Sequence, residues 1–297
     1  MSPTTSRKAS GDGADPGRSF GPVSEAYERA RPSYPAAAAT WLTGSGRSAV
    51  LELGAGTGKL TEVLHRAGHD VVATDPDLAM LMRLATRAPV SHVLAVAEQI
   101  PLRSRSVDVV VCGQAFHWFD HERALPEIAR VLRPGGMIAL AWNTYDVGIP
   151  WVKRLKQLIG PATSDDERAA PLMETPYFGF VEQKQFRFWQ PHTAATLADL
   201  ARSTSRITVM KEAERARVLD QVASLYAEYG RGHDGMQVPY VTRCYRAVVR
   251  HQELPPEVSF RRGPTPEGAA EQAPEAGDPA VRRTPPEDPG TQLIDFR

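Results

Sequence analysis

Three glycines at alternate positions, Gly54, Gly56 and Gly58, end the apolar run Val50-Leu51-Glu52-Leu53 and open the helical pattern Lys59-Leu60-Thr61-Glu62-Val63-Leu64. Glycine permits positive φ and removes the Cβ that would block a ligand, so a strand ending this way can lay its backbone against a nucleotide, with the next helix's N-terminus facing the turn. A second apolar run, Val71-Val72-Ala73-Thr74, stops at Asp75, 19 residues past Gly56, the spacing of a carboxylate that grips ribose hydroxyls. Thr57-Gly58-Lys59 does not keep the two residues a dinucleotide fingerprint has before its last glycine, and no Gly-Lys-Ser/Thr follows to make a phosphate loop. His117 follows another apolar run, Val107 to Cys112, where open sheets bind substrates at the carboxyl ends of their strands. It is a candidate base for a hydroxyl or amine, or else a group that shapes the pocket floor.

Positioning such residues takes alternating strands and helices. Strands are predicted near 48–53, 70–74, 92–95, 107–112 and 136–142, with helices near 59–67, 77–87 and 121–132. That order gives an α/β fold: a parallel, doubly wound sheet with helices on both faces. Further along, Trp151–Ile159, Thr193–Arg202 and Lys211–Tyr229 read as helices, and Val181–Trp189 and Val238–Val249 as strands. Asp165-Asp166-Glu167 reads as a solvated loop, and His65, His69 and His121 as solvated helix-end residues without partners at metal-ligand spacing, so no metal is expected.

The chain resembles the class I S-adenosylmethionine-dependent methyltransferases, whose first motif, Glu/Asp-x-Gly-x-Gly-x-Gly, is matched by Glu52, Gly54, Gly56 and Gly58. Asp75-Pro76 looks like the ribose-binding acid of that family, Ala97-Glu98 like the segment flanking the adenine, and Ala129 to Gly136 like the turn before the fifth strand. Within it, Tyr27-Glu28-Arg29-Ala30-Arg31-Pro32-Ser33-Tyr34-Pro35 and Gln114-Ala115-Phe116-His117-Trp118-Phe119-Asp120 resemble the small-molecule branch that includes trans-aconitate methyltransferases. The resemblance implies a Rossmann-like seven-stranded sheet completed by an antiparallel hairpin. It implies S-adenosyl-L-methionine as donor, held by Glu52, Gly54, Ala55, Gly56, Gly58, Asp75, Pro76, Ala97, Glu98 and Gln114. Tyr27 and Arg31 would form a lid, with Trp118 at the acceptor. One departure is Val96, where many relatives carry Asp before the Ala, so the polar adenine contact falls to the Ala97 backbone or to Glu98.

Methyl transfer is an in-line displacement that needs alignment more than covalent help. By resemblance the acceptor is a small carboxylic acid, ionised at neutral pH, with Arg187, Arg202, Arg206 or Arg31 as its anchor. The competing acceptor is an apolar natural-product hydroxyl or an amine, with His117 as base. A protein that binds S-adenosylmethionine without turning it over is a third reading, and a nicotinamide oxidoreductase is disfavoured by the glycine spacing.

Composition narrows little else. Lys plus Arg number 35 against 35 Asp plus Glu, so no net charge draws nucleic acid. No run approaches the roughly 18 apolar residues of a membrane span. Two distant cysteines, Cys112 and Cys244, form no disulfide framework, which fits a cytoplasmic enzyme. Residues 1–19 and the Pro-rich 251–297, with 9 of the 25 prolines, read as disordered tails around a domain at 20–250 whose motifs span 48–143.

Overall fold

A computed structural model describes residues 31–160, 164–230, 232 and 234–250. Tyr27, the rest of residues 20–30, and both sequence-predicted tails lie outside the described residues. The strands are β1 (Ala49–Leu53), β2 (Asp70–Asp75), β3 (Ser91–Leu94), β4 (Val107–Gly113), β5 (Leu132–Tyr145), β6 (Glu182–His192) and β7 (Met236–Val248). They form one sheet in the order β3-β2-β1-β4-β5-β7-β6, parallel through β5, with β7 antiparallel to both its neighbours. The chain order reverses between β1 and β4, and a crevice opens above the carboxyl ends of strands at such a point.

Every residue of β1 is buried, as expected of a parallel strand covered on both faces. On one face Leu51, Val110 and Leu140 pack with Ile128 and Leu125 of α4 (His121–Val131). On the other, Val50, Val109 and Ala139 meet Leu60 and Leu64 of α2 (Lys59–Arg66) and Leu42 of α1 (Ala36–Thr43). The helix α3 (Leu78–Arg87) is capped by Asp77, whose side chain accepts from the N–H groups of Ala79 and Met80. A third cluster joins Tyr145, Val238 and Tyr240 to Leu155 and Ile159 of α5 (Pro150–Ile159), Leu200 of α7 (Ala194–Arg202) and Leu225 of α9 (Glu212–Tyr229), with the short α8 (Ser205–Thr208) between the last two. That cluster walls one side of the crevice.

Three elements depart from the sequence reading. The alanine-rich helix α1 begins directly after Pro35, where the entry segment stops being proline-bounded. β5 starts at Leu132 rather than 136: Leu132 pairs with Val107, the register shifts, and pairing resumes at Met137 and Val109, with Gly135 at φ 80° between. The acid cluster is the first turn of α6 (Asp165–Glu174), not a loop. Ser164 accepts from the Glu167 N–H while the Glu167 carboxylate accepts from the Ser164 N–H, and the three acids sit where a helix dipole favours negative charge.

His69 is buried, with Nε2 against the Thr43 hydroxyl at 2.9 Å and Nδ1 accepting from Ser48 N–H, so its solvated reading is corrected. His121 likewise bonds the Phe116 carbonyl at 2.9 Å. No helix among the described residues is long and apolar enough to cross a membrane, and no group of three or more His, Cys, Asp or Glu side chains there could hold a metal.

Candidate active site

The crevice holds a cavity of about 900 Å³ that runs from the glycine turn past His117 to the cap of helices over β5 and β7. The end at the glycine turn is built by backbone. Gly54, Gly56 and Gly58 all have positive φ, at 66°, 56° and 82°. A Cβ on Gly54 would lie 2.4 Å from that of Ala115, and one on Gly58 2.8 Å from Leu84 Cγ, so these two glycines let elements approach. A Cβ on Gly56 would meet nothing within 4 Å, and Gly56 lines the cavity: here the missing side chain leaves room for a ligand. Asp75 ends β2 on the cavity wall, its Oδ2 accepting from Gly56 N–H at 2.8 Å and its Oδ1 from Asp77 N–H at 2.9 Å. Burial pushes its carboxyl up, and those two bonds work against the shift.

Of the residues named from sequence, Gly54, Gly56, Asp75, Pro76, Ala97, Glu98, Gln114, Arg31, His117 and Trp118 line this one cavity. Glu52, Ala55 and Gly58 do not. Ala55 instead ties the turn to β2 through its N–H to Thr74 O, and Gly58 is the left-handed N-cap of α2 packed on Leu84. Glu98 accepts from Asp120 N–H at 2.8 Å, which fixes the start of α4, and Val96, 40% exposed, presents an apolar surface beside Ala97. Gln114 sits at φ 62°, an uncommon conformation for a side-chain-bearing residue, and donates from Nε2 to Asn143 O.

Glu52 is 1% exposed beneath the turn, with Thr61 Oγ1 donating to its Oε2 at 2.6 Å. Burial raises its pKa from 4.5 to about 8, so the group is a neutral acid at pH 7. The folded state therefore prefers the protonated acid. Stability is full below pH 4.5, falls as pH rises towards 8, and then levels, at no more than about 1.4 kcal/mol per pH unit. Glu52→Gln should flatten that decline between pH 5 and 8, measured as unfolding midpoints across pH; an unchanged slope would exclude Glu52 as its source.

The other end of the cavity is rich in cations and donors. Arg31 donates from Nη2 to Ser203 O at 3.1 Å, and Asn143 fixes the segment after it by donating to Ser33 O at 3.1 Å. Arg168 of α6 is 13% exposed; its Nη1 lies 3.6 Å from Asp165, and its buried Nε finds no acceptor among the described residues. Tyr145 and Tyr240 are register partners across β5 and β7 with ring centroids 5.2 Å apart. Burial pushes Tyr145 up to about 12 and Tyr240 well above its usual value, so both hydroxyls stay protonated. Burial, then the charges of Arg168 and Arg31 and the nearby His121, lower His117 to about 4. It is neutral at pH 7.

Of the four arginines named from sequence, Arg31 and Arg206 line the cavity. Arg187 is 78% exposed and pairs with Asp146, and Arg202 pairs with Asp199; neither reaches the cavity. Arg168, Asn143, Tyr145 and Tyr240 were not singled out. The Ser164-x-x-Glu167 helix-start signature was a readable pointer to α6, and Asn143 follows directly on an apolar strand run, the place where sheet ligands bind.

A family profile described as "Methyltransferase domain" matches residues 51–140. An uncharacterized methyltransferase of Mycobacterium tuberculosis is 43% identical over 234 residues, covering 78% of this chain and 96% of that protein. The malonyl-[acyl-carrier protein] O-methyltransferase of Salmonella typhimurium is 36% identical over 102 residues, 34% of this chain and 41% of its own length. Among solved structures, a candidate type II methyltransferase from Anaeromyxobacter dehalogenans shares 26% identity at a TM-score of 0.55, covering 74% of this chain and 97% of that one.

Proposed function

This chain belongs to the class I S-adenosylmethionine-dependent methyltransferases, and on that premise we propose that it methylates a small carboxylic acid to its ester. The family's donor fits the residues present: Gly56 leaves its Cβ position open to the cavity, and Asp75 keeps lone pairs beyond those its two backbone partners use. When bound, S-adenosylmethionine supplies a methyl group on a sulfonium, and the acceptor oxygen forms the new C–O bond as the C–S bond breaks with its electron pair left on sulfur.

The observation that carries the carboxylate reading is Arg168, a cation at the acceptor end with a buried donor awaiting an acceptor, beside a His117 that burial, and then this charge, keep neutral. Arg168 and Arg31 hold an anion, and the protonated hydroxyl of Tyr145, hydrogen-bonded to that of Tyr240, adds a donor. A carboxylate is already ionised, so no proton has to be removed. A histidine titrating near 4 is a weak base for a hydroxyl, since proton-transfer catalysis is best near the working pH. The named O-methylation activity of the Salmonella relative supports an oxygen acceptor. Two buried free cysteines support a reducing cytoplasm, and the balance of charge supports a small-molecule partner over nucleic acid.

The test is a panel of carboxylic acids, phenols and amines incubated with methyl-labelled donor, followed by mild alkali. Label released as methanol marks an ester; label that stays on oxygen or nitrogen through alkali overturns the reading. In the same assay His117→Ala should lower the chemical step by about 10- to 150-fold, the loss of one hydrogen bond to a charged group, without changing the shape of the pH profile; a wild-type rate that climbs with pH and loses that climb in the variant would make it a base instead. The pH profile should be flat from about 5 to 8 in the wild type, because His117 completes its titration below that window.

A further inference from the structure

Trp142 lies fully buried in β5 beneath the cavity floor, its indole N–H 3.4 Å from His117 Nδ1. An indole nitrogen only donates, and this one has no other acceptor among the described residues, so Nδ1 must present its lone pair. The opposite tautomer would turn two N–H groups towards each other and leave both without an acceptor. The ring proton therefore sits on Nε2, which no described residue engages, on a side chain that lines the cavity.

We propose that Trp142 is a positioning residue that fixes His117 as a neutral Nε2–H donor to the acceptor carboxylate and so withholds it from acting as a base. The donor role rests on the carboxylate reading; the tautomer does not. The Nε2–H bonds the oxygen that does not attack, and no proton is transferred as the C–O bond forms and the C–S bond breaks.

The surroundings hold this arrangement in place. Trp142 stands edge-on to Tyr245, with centroids 5.6 Å apart and planes at 78°, and the Tyr245 hydroxyl donates to Asp166 at 2.6 Å in the first turn of α6. The helix that carries Arg168 thus also braces the indole that orients His117. The groups facing the imidazole are Arg168 from α6, Arg31 from the segment before α1, His121 from α4, the Trp142 N–H from β5 and the Trp118 ring 4.7 Å away. The neighbouring cations oppose protonation, and the indole N–H occupies the one lone pair a proton would otherwise take.

The experiment is nitrogen NMR on full-length protein labelled at histidine, with the His117 signals assigned from the spectrum of His117→Gln. Wild type at pH 7 should show a protonated Nε2 and an unprotonated Nδ1. Trp142→Phe should give exchanging tautomers and about tenfold lower kcat/KM for the carboxylate acceptor, with donor affinity unchanged. Should that variant fail to fold, benzothienylalanine at position 142 replaces the N–H by sulfur at nearly the same shape and should give the same result. A wild-type Nδ1–H, or a tautomer indifferent to both replacements, would overturn the proposal. Tautomer loss as expected, but with label found only on hydroxyls or amines, would overturn the carboxylate reading and the donor role while sustaining Trp142's hold on the ring.

Discussion

Arg168→Glu should lower kcat/KM for the acceptor by about a thousandfold while leaving S-adenosylmethionine affinity within about threefold, because losing one partner of a desolvated, hydrogen-bonded charge pair costs about 2–5 kcal/mol. The side chain is 13% exposed and lines the half of the cavity remote from the glycine turn, and its Nε has no acceptor within the described residues. Reversal removes the anchor and points a carboxylate at a carboxylate. It also sets Glu beside Asp165, now 3.6 Å from the guanidinium, so folding must be checked by melting temperature. Arg168→Gln removes the charge without that repulsion and should keep most of the kinetic loss. Arg168→Lys should recover part of it, since an ammonium keeps the charge but not the planar two-pronged donor. An unchanged KM and kcat in the glutamine variant, with a known carboxylate acceptor, would remove Arg168 from the site.

That residue lay outside the arginines named from sequence, and the reason is physical. Arg187 and Arg202 stood in segments read as a strand and a helix, whereas Arg168 followed three acids that read as a solvated loop. The loop reading undervalued the Ser164 and Glu167 pair, whose reciprocal bonds to backbone start a helix regardless of how polar its first turn is. Once α6 forms, Arg168 falls at i+3 from Asp165, and Ala169 and Leu172 bury themselves in the core cluster beneath β5. The local sequence carried the start of the helix; it did not carry which way the helix docks.

The donor half was legible because its information is local. Alternate glycines, the acid at the end of β2 and the alternation of strands with helices all sit in one stretch, and each element formed within a few residues of its expected span. Glu52 shows where locality fails. β1 is buried on both faces, so no alternation tells which way a side chain points, and the carboxyl meets Thr61 of α2 under the turn rather than lining the cavity. The acceptor wall is less legible still. Tyr145 meets Tyr240 only through the antiparallel register of β5 and β7, a contact between residues 95 positions apart that no local pattern announces.

Asp75→Ala should weaken both S-adenosylmethionine and S-adenosylhomocysteine by about 10- to 150-fold, the 1.5–3 kcal/mol of hydrogen bonds to a charged acceptor. The carboxylate has two jobs that a ligand series can separate. It accepts from Gly56 N–H at 2.8 Å and Asp77 N–H at 2.9 Å, which pins the glycine turn to the end of β2, and it faces the cavity 8% exposed. If it grips ribose hydroxyls, adenosine, which has the ribose but no methionine part, should lose affinity by a similar factor. If it acts only by pinning the turn beneath the methionine part, adenosine should bind the variant as it binds wild type. Asp75→Asn adds a further control, since an amide keeps one acceptor oxygen but presents N–H groups to the second backbone donor, so the turn should loosen while the site keeps its shape. Titration calorimetry with the three ligands reads all of this directly. Equal affinities for all three in wild type and Asp75→Ala would show that the ribose is held elsewhere on the wall, and the donor site assigned to the end of β2 would have to be moved.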